Sequence, residues 1–292
     1  MALPVFPPES DPGPDFVGML RMTAPEVAAM TGPVGGLGAA GISAGGGGPG
    51  SVAGSVAHAT TVVALRYAEG VIMAGDRRAT AGNVIASNAM EKVFPADRHS
   101  AVAIAGSAGP AMEMVRLFQV QLEHYEKVEG STLSLEGKAN QLAQMVRAHL
   151  PMAMQGLAVV PLFAGYDMAR GIGRIFNYDV TGGHYEDTDF QATGSGGRDA
   201  RTTIKLGWRE GLARDVAVDL AIDSLWEAAD EDSATGGPDL VRGIYPIVAQ
   251  VDASGYQQLD QAEVTERFAA LIERKRAERE PLAGGSDGAP SS

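Results

Sequence analysis

The residues best suited to chemistry in this 292-residue chain open the run His58-Ala59-Thr60-Thr61-Val62-Val63-Ala64-Leu65. A threonine hydroxyl is a weak nucleophile until a neighbouring base takes its proton, and nothing in the sequence presents a serine, histidine and aspartate set to do so. The five histidines are scattered and cysteine is absent, which excludes disulfides, thiolate metal sites and a cysteine nucleophile. Threonine can carry its own base. A free α-amine has an unperturbed pKa of about 7.7–8.0 and keeps a useful neutral fraction near pH 7. Its β-branch restricts χ1 and so helps to fix the oxygen relative to the nitrogen. While Ala59 is attached, Thr60 N is an amide and accepts no proton, so chain cleavage before Thr60 would switch the residue on. Taken alone, a Thr-Thr pair is an ordinary strand opening.

The elements that must position Thr60 begin abruptly. Residues 1–59 comprise a proline-rich start, a short amphipathic piece around Phe16 to Met30 and a glycine-rich tract from Gly32 to Gly54, too poor in apolar surface to offset its ordering entropy. Two patterns inside that tract, Gly36-Leu37-Gly38-Ala39-Ala40-Gly41 and Gly41-Ile42-Ser43-Ala44-Gly45, mimic a dinucleotide fingerprint and a nucleophile elbow. Neither has the strand and helix that such motifs need, and both are set aside.

From Thr60 the period changes to that of strands, several of them up to about Ile104. Two amphipathic helices follow, one from about Pro110 to Lys127 and one from about Leu135 to Gln155. Strands are expected at Val159–Tyr166, Gly173–Asp179 and His184–Thr193, with Thr181-Gly182-Gly183 as a turn. Helices at about Gly196–Leu206 and Leu212–Ala229, strands at Ile244–Asp252 and near Tyr256–Leu259, and a helix from Val264 to about Arg279 complete the pattern. Runs of strands alternating with pairs of helices suit an α+β fold with two sheets face to face and helices outside both. Residues 60–280 are expected to form this domain and residues 281–292 a mobile tail.

Composition narrows the partners. A net charge of −13 repels phosphate backbones, which argues against nucleic acid. The most apolar run, Pro151 to Tyr166, is interrupted by Gln155, Gly156 and Pro161 and is too short to span a bilayer, so no membrane role is expected. The acidic, proline-rich start lacks the features of a secretory signal, and the chain reads as cytoplasmic.

The Thr60-Thr61 strand, the turn at Ala68–Gly70 and the second apolar run ending Gly75-Asp76-Arg77-Arg78 together resemble the mature N-terminus of proteasome β subunits, most closely the actinobacterial kind. The resemblance covers about residues 58–280. It implies the four-layer αββα sandwich of N-terminal-nucleophile hydrolases and threonine endopeptidase activity. It implies that residues 1–59 are a propeptide removed by self-cleavage, with Ala59 and Thr60 as the processing site and Thr60 as the nucleophile. Asp76 and Lys92, in Met90-Glu91-Lys92-Val93-Phe94, match the family's catalytic carboxylate and lysine. Gly106, in Ala105-Gly106-Ser107-Ala108-Gly109, matches the position whose N–H serves the oxyanion. Ser195, in Gly194-Ser195-Gly196-Gly197, matches the family's glycine-serine-glycine turn.

Asp232 and Thr235 match its Asp-x-x-Ser-Gly element, with threonine in place of the usual serine and the hydroxyl retained. Thr80 and Ala108 correspond to positions whose backbones pair with an extended substrate, and Met90, Ile104 and Met112 are expected to line an apolar side-chain pocket. Ala59 departs from the family's usual glycine, and its Cβ restricts the tight turn that self-cleavage needs.

By the same resemblance, no cofactor or metal is expected, and the partners are seven-membered β rings stacked on α-subunit rings. An ATPase ring would act through the α rings on unfolded polypeptides, including those tagged with a prokaryotic ubiquitin-like protein. Two neighbouring readings are a two-component bacterial threonine peptidase linked to an unfoldase and a non-catalytic ring subunit. Residues 1–59 and Asp232 weigh against the first, and the retained Thr60 and Lys92 against the second.

Overall fold

A computed structural model describes residues 60–279. Its first strands are β1 (Thr61–Tyr67), β2 (Gly70–Gly75), β3 (Ala79–Ala81), β4 (Val84–Ser87), β5 (Val93–Asp97) and β6 (Ser100–Gly106). Helices α1 (Ala108–Glu129), α2 (Leu135–Ala148) and the single turn α3 (Leu150–Ala153) follow. Then come β7 (Val159–Asp167), β8 (Ile172–Tyr178), β9 (His184–Asp187) and β10 (Phe190–Gly194), helices α4 (Gly197–Gly207) and α5 (Arg214–Glu231), β11 (Ile247–Asp252), β12 (Gly255–Gln258) and α6 (Gln261–Arg279). The glycine-rich tract, the processing position Ala59 and the C-terminal tail lie outside the described residues.

Among the described residues the strands form two antiparallel five-stranded sheets, ordered β10-β1-β2-β11-β12 and β5-β6-β7-β8-β9, with β3 and β4 as a separate pair. Period-two alternation sorts their side chains into layers. Val63, Leu65, Ile72, Ala74 and Val248 of the first sheet pack on Ile204 of α4, Ala221 and Leu225 of α5 and Phe268 of α6. The intervening residues Val62, Ala64, Val71, Met73 and Ala249 meet Ala101, Ala103, Leu162, Ala164 and Ile175 of the second sheet. Val102, Ile104, Phe163 and Phe176 turn the other way, onto Val115 and Phe118 of α1 and Leu142 and Val146 of α2. Helices, sheet, sheet, helices: this is the αββα sandwich expected from the sequence.

Two elements differ from expectation. The second helix stops at Ala148 instead of continuing to Gln155, because Pro151 has no N–H to bond the carbonyl of Arg147 and its ring crowds that carbonyl; the chain breaks at His149 and resumes as α3 with Pro151 in its first turn. The single strand expected over His184–Thr193 is two strands in different sheets, β9 beside β8 and β10 beside β1. The chain crosses between sheets at Thr188 and Asp189, where Arg66 holds both carbonyls, its guanidinium donating to Thr188 O at 2.7 Å and its N–H to Asp189 O at 2.9 Å. No described helix is long and apolar enough to cross a membrane.

Candidate active site

Thr60 immediately precedes β1 and is buried, with 4% of its surface exposed. Its carbonyl accepts from Ser195 N at 2.8 Å, which ties the start of β1 to the turn after β10. That approach demands glycine at 194: its φ is +100°, and an added Cβ would lie 1.8 Å from Thr60 O. The Thr60 N–H donates to Ser195 Oγ at 3.3 Å.

Asp76 follows the last residue of β2, and its side chain has no exposed surface. Burying a carboxylate is costly unless its lone pairs are filled, and here four donors fill them. Oδ1 accepts from Thr61 N at 2.8 Å and Lys92 Nζ at 2.6 Å, while Oδ2 accepts from Arg78 N at 2.9 Å and Gly236 N at 2.8 Å. The lysine ammonium thus stands one oxygen atom away from the peptide nitrogen that follows Thr60. Lys92 also donates to Arg78 O at 2.6 Å. Burial is the largest influence on its pKa and pushes it below the usual lysine value; Asp76 opposes that shift and the Arg78 charge adds to it.

Gly106 ends β6 at φ +115°, where a Cβ would meet Ala158 O at 2.2 Å. Along an antiparallel strand successive N–H groups point to opposite neighbours. Ile104 N donates toward β5, to Lys92 O at 2.9 Å, and Ser107 N donates toward β7, to Ala158 O at 2.9 Å. The Gly106 N–H between them is therefore directed to the β5 side, past the start of that strand, where Lys92 enters.

The third wall is the loop after α5. Asp232 Oδ2 accepts from Ser195 Oγ at 2.5 Å and Thr235 Oγ1 at 2.6 Å, and Oδ1 accepts from Ala234 N at 3.1 Å. Partial burial alone would raise the Asp232 pKa, but these donors and the Lys92 charge outweigh it and hold the carboxyl below its usual value. Thr60, Asp76, Lys92, Ser195, Asp232 and Thr235 are thus joined through Thr61 into one set, drawn from the residue before β1, the residue after β2, the β4–β5 and β10–α4 connections and the α5–β11 loop.

The other sequence-derived positions surround this set. Thr80 lies on β3, and its hydroxyl is buried without a partner among the described residues. Ala108 is exposed in the first turn of α1. Ile104 is buried, and Met90 and Met112 are partly buried against the same apolar cluster. The sequence assigns no role of their own to Thr61, Gly194, the Arg78 carbonyl and the Gly236 N–H. Thr61 had one visible signal, a hydroxyl on the strand face that otherwise carries Val63, Leu65 and Tyr67. Among the described residues no cluster of His, Cys, Asp and Glu is suited to hold a metal ion.

Comparison with known proteins identifies the family. The family described as "Proteasome subunit" matches residues 56–241. A proteasome subunit beta of Acidimicrobium ferrooxidans is 58% identical over 280 residues, 96% of each chain. Those of Acidothermus cellulolyticus and Streptomyces griseus are 62% and 57% identical, covering 70% and 75% of this chain and 72% and 78% of their own. With its αββα layers and a buried threonine, aspartate and lysine at one end of the sheets, the chain belongs to the proteasome subunit family, as a β-type threonine endopeptidase with the N-terminal-nucleophile hydrolase fold.

Proposed function

We propose that Thr60 is the nucleophile and, once residues 1–59 are cut away, supplies its own base. The observation that carries this reading is Asp76 Oδ1, which holds Lys92 Nζ at 2.6 Å and Thr61 N at 2.8 Å and so fixes a cation beside the backbone of Thr60. The neutral α-amine takes the Oγ1 proton as Oγ1 attacks the scissile carbonyl. The oxyanion is met by the Gly106 N–H, and the Lys92 ammonium stabilises the developing charge. Collapse breaks the C–N bond, the leaving amine takes the proton, and an ester to Thr60 remains. Water, deprotonated by the same α-amine, then releases the acid and restores the hydroxyl.

Lys92 has a second role, since its charge disfavours a second cation nearby and keeps the Thr60 amine neutral. Ser195 donates to Asp232, so its remaining lone pairs face Thr60 N and accept from it. This orients the amine with its own lone pair toward Oγ1. In the uncut chain Thr60 N is an amide; the same hydroxyl attacks the carbonyl of Ala59, the Ala59–Thr60 C–N bond breaks to leave the Ala59 acyl group as an ester on Oγ1 and a free amine, and water hydrolyses that ester. Thr80 and Ala108 pair with the backbone of an extended substrate, and Met90, Ile104 and Met112 receive an apolar side chain at the cleavage point.

The subunit works inside a closed particle, with seven-membered β rings stacked on α-subunit rings in the cytoplasm. An ATPase ring feeds in unfolded polypeptides, including ones carrying a prokaryotic ubiquitin-like tag. The test is Thr60→Ala in the assembled particle. Loss of both leader removal and hydrolysis of fluorogenic peptides is expected; retention of either overturns the assignment.

A further inference from the structure

Thr61 has no exposed surface, so it cannot touch a substrate, and it stands where the alternation of β1 calls for an apolar side chain. Valine would fill the same volume. A buried hydroxyl at such a position is costly unless fully paired, and this one is paired twice: it accepts from Gly196 N at 3.0 Å and lies 2.6 Å from Thr235 Oγ1.

The direction of each proton in this chain follows from its end. Asp232 Oδ2 accepts only, so Thr235 spends its one hydroxyl hydrogen there, at 2.6 Å. Thr235 Oγ1 must then accept from Thr61, whose own hydrogen is committed to it. The chain runs Gly196 N–H to Thr61, Thr61 to Thr235, Thr235 to Asp232, and every donor is used once. Asp232 also takes the Ser195 hydrogen, which leaves Ser195 a lone pair for Thr60 N.

We infer that Thr61 is a positioning residue for the reaction: its hydroxyl fixes Thr235 as a donor to Asp232 and pins the turn at Gly196, and through them sets the hydrogen-bond polarity that Ser195 presents to the Thr60 amine. The inference rests on the reading of Thr60 as nucleophile and base. A purely packing role for Thr61 would be served equally by valine. The relay predicts instead that valine frees the Thr235 hydroxyl to rotate, orphans the buried Gly196 N–H and slows the chemical step without changing substrate affinity.

The test uses the full chain assembled with its ring partners, with rates normalised to the fraction of chains that intact mass shows beginning at Thr60. Thr61→Val is expected to lower kcat about 10-fold with KM unchanged. Thr61→Ser, which keeps the hydroxyl, is expected to stay within about twofold of the parent, and Thr61→Val combined with Thr235→Val should be no slower than Thr235→Val alone. Should valine prevent assembly, Thr61→Ala replaces it; set against Thr61→Ser, it isolates the hydroxyl, since both lack the methyl group. A parental kcat in the valine or alanine variant, a serine variant as slow as alanine, or independent multiplying losses in the double variant would each overturn the inference. Thr60→Ala run alongside separates the two failures: if it is inactive while Thr61→Val is as fast as the parent, only the role of Thr61 is lost, and if it is active the nucleophile itself is wrong.

Discussion

Lys92 Nζ and Asp76 Oδ1 stand 2.6 Å apart, and neither side chain has any solvent exposure. A buried pair of this kind is strongly sensitive to loss of one member, because the survivor is left charged and uncompensated. Lys92→Ala is expected to destabilise the domain by about 3–5 kcal/mol, read from denaturant unfolding. Asp76→Asn keeps the shape but puts an amide where four donors converge, and peptidase activity should fall at least about 100-fold. A variant at either position with parental stability and rate would remove the pair from the account.

The alkaline limb of activity should report Lys92. Its pKa is lowered chiefly by burial, so the ammonium form is full below a value under the ordinary lysine range and is lost as pH rises through it. Peptide hydrolysis in the parent is expected to decline on the alkaline side at a pH below about 10.4, the unperturbed lysine value. Lys92→Arg, charged throughout, should be slower at its optimum but show no such limb. An identical limb in both proteins would assign it elsewhere.

Gly194→Ala should disable the site while Gly211→Ala is mild. Both glycines have positive φ, +100° and +75°, but a Cβ at 194 would lie 1.8 Å from Thr60 O whereas nothing lies within 4 Å at 211. The expected result is loss of both leader removal and turnover for the first, against a cost of about 1 kcal/mol and near-parental activity for the second. Equal effects would show that the approach of the 194–195 turn to Thr60 is unimportant.

Much of this was legible from sequence wherever a local period carries the information. The continuous apolar runs of β1, β2, β6 and β7, buried on both faces, and the apolar stripes of α1 and α2 mark the strands and helices of a layered α+β fold. The jump between β9 and β10 leaves no local trace, because the decision to change sheets is made by Arg66, which reaches Thr188 O across 122 positions. The site divides the same way. Thr60, Asp76 and Lys92 sit at recognisable spacings, but Thr61 is defined by partners 135 and 174 positions away, Gly196 and Thr235, and the sequence shows only its hydroxyl on an otherwise apolar strand face.

Far from the site, Arg174 is buried to 4% exposure over the face of Phe176 and is paired with Glu136 at 2.7 Å, Asp167 at 3.2 Å and Glu186 at 2.5 Å. The Arg174 hydrogen bonds are the main cause holding the Glu186 carboxyl below its usual range. A carboxyl depressed in the folded state contributes stability above its unfolded pKa of about 4.3, and that contribution is lost as pH falls through the folded value. The unfolding midpoint is therefore expected to drop on acidification below about pH 4.3. Arg174→Met should lower the midpoint at pH 7 and make that acid dependence shallower, while leaving the pH dependence of peptide hydrolysis in assembled particles unchanged. An unaltered acid dependence would mean that the cluster does not set it.

The most direct measurement is intact-mass spectrometry of the catalytically active particle, with the N-terminal residue of each β-type chain read from the mass. Chains that begin at Thr60, in proportion to the peptidase activity of the preparation, are the predicted result. Full activity from particles whose chains still carry residues 1–59 would mean that the Thr60 nitrogen remains an amide during turnover, and the threonine could not be its own base.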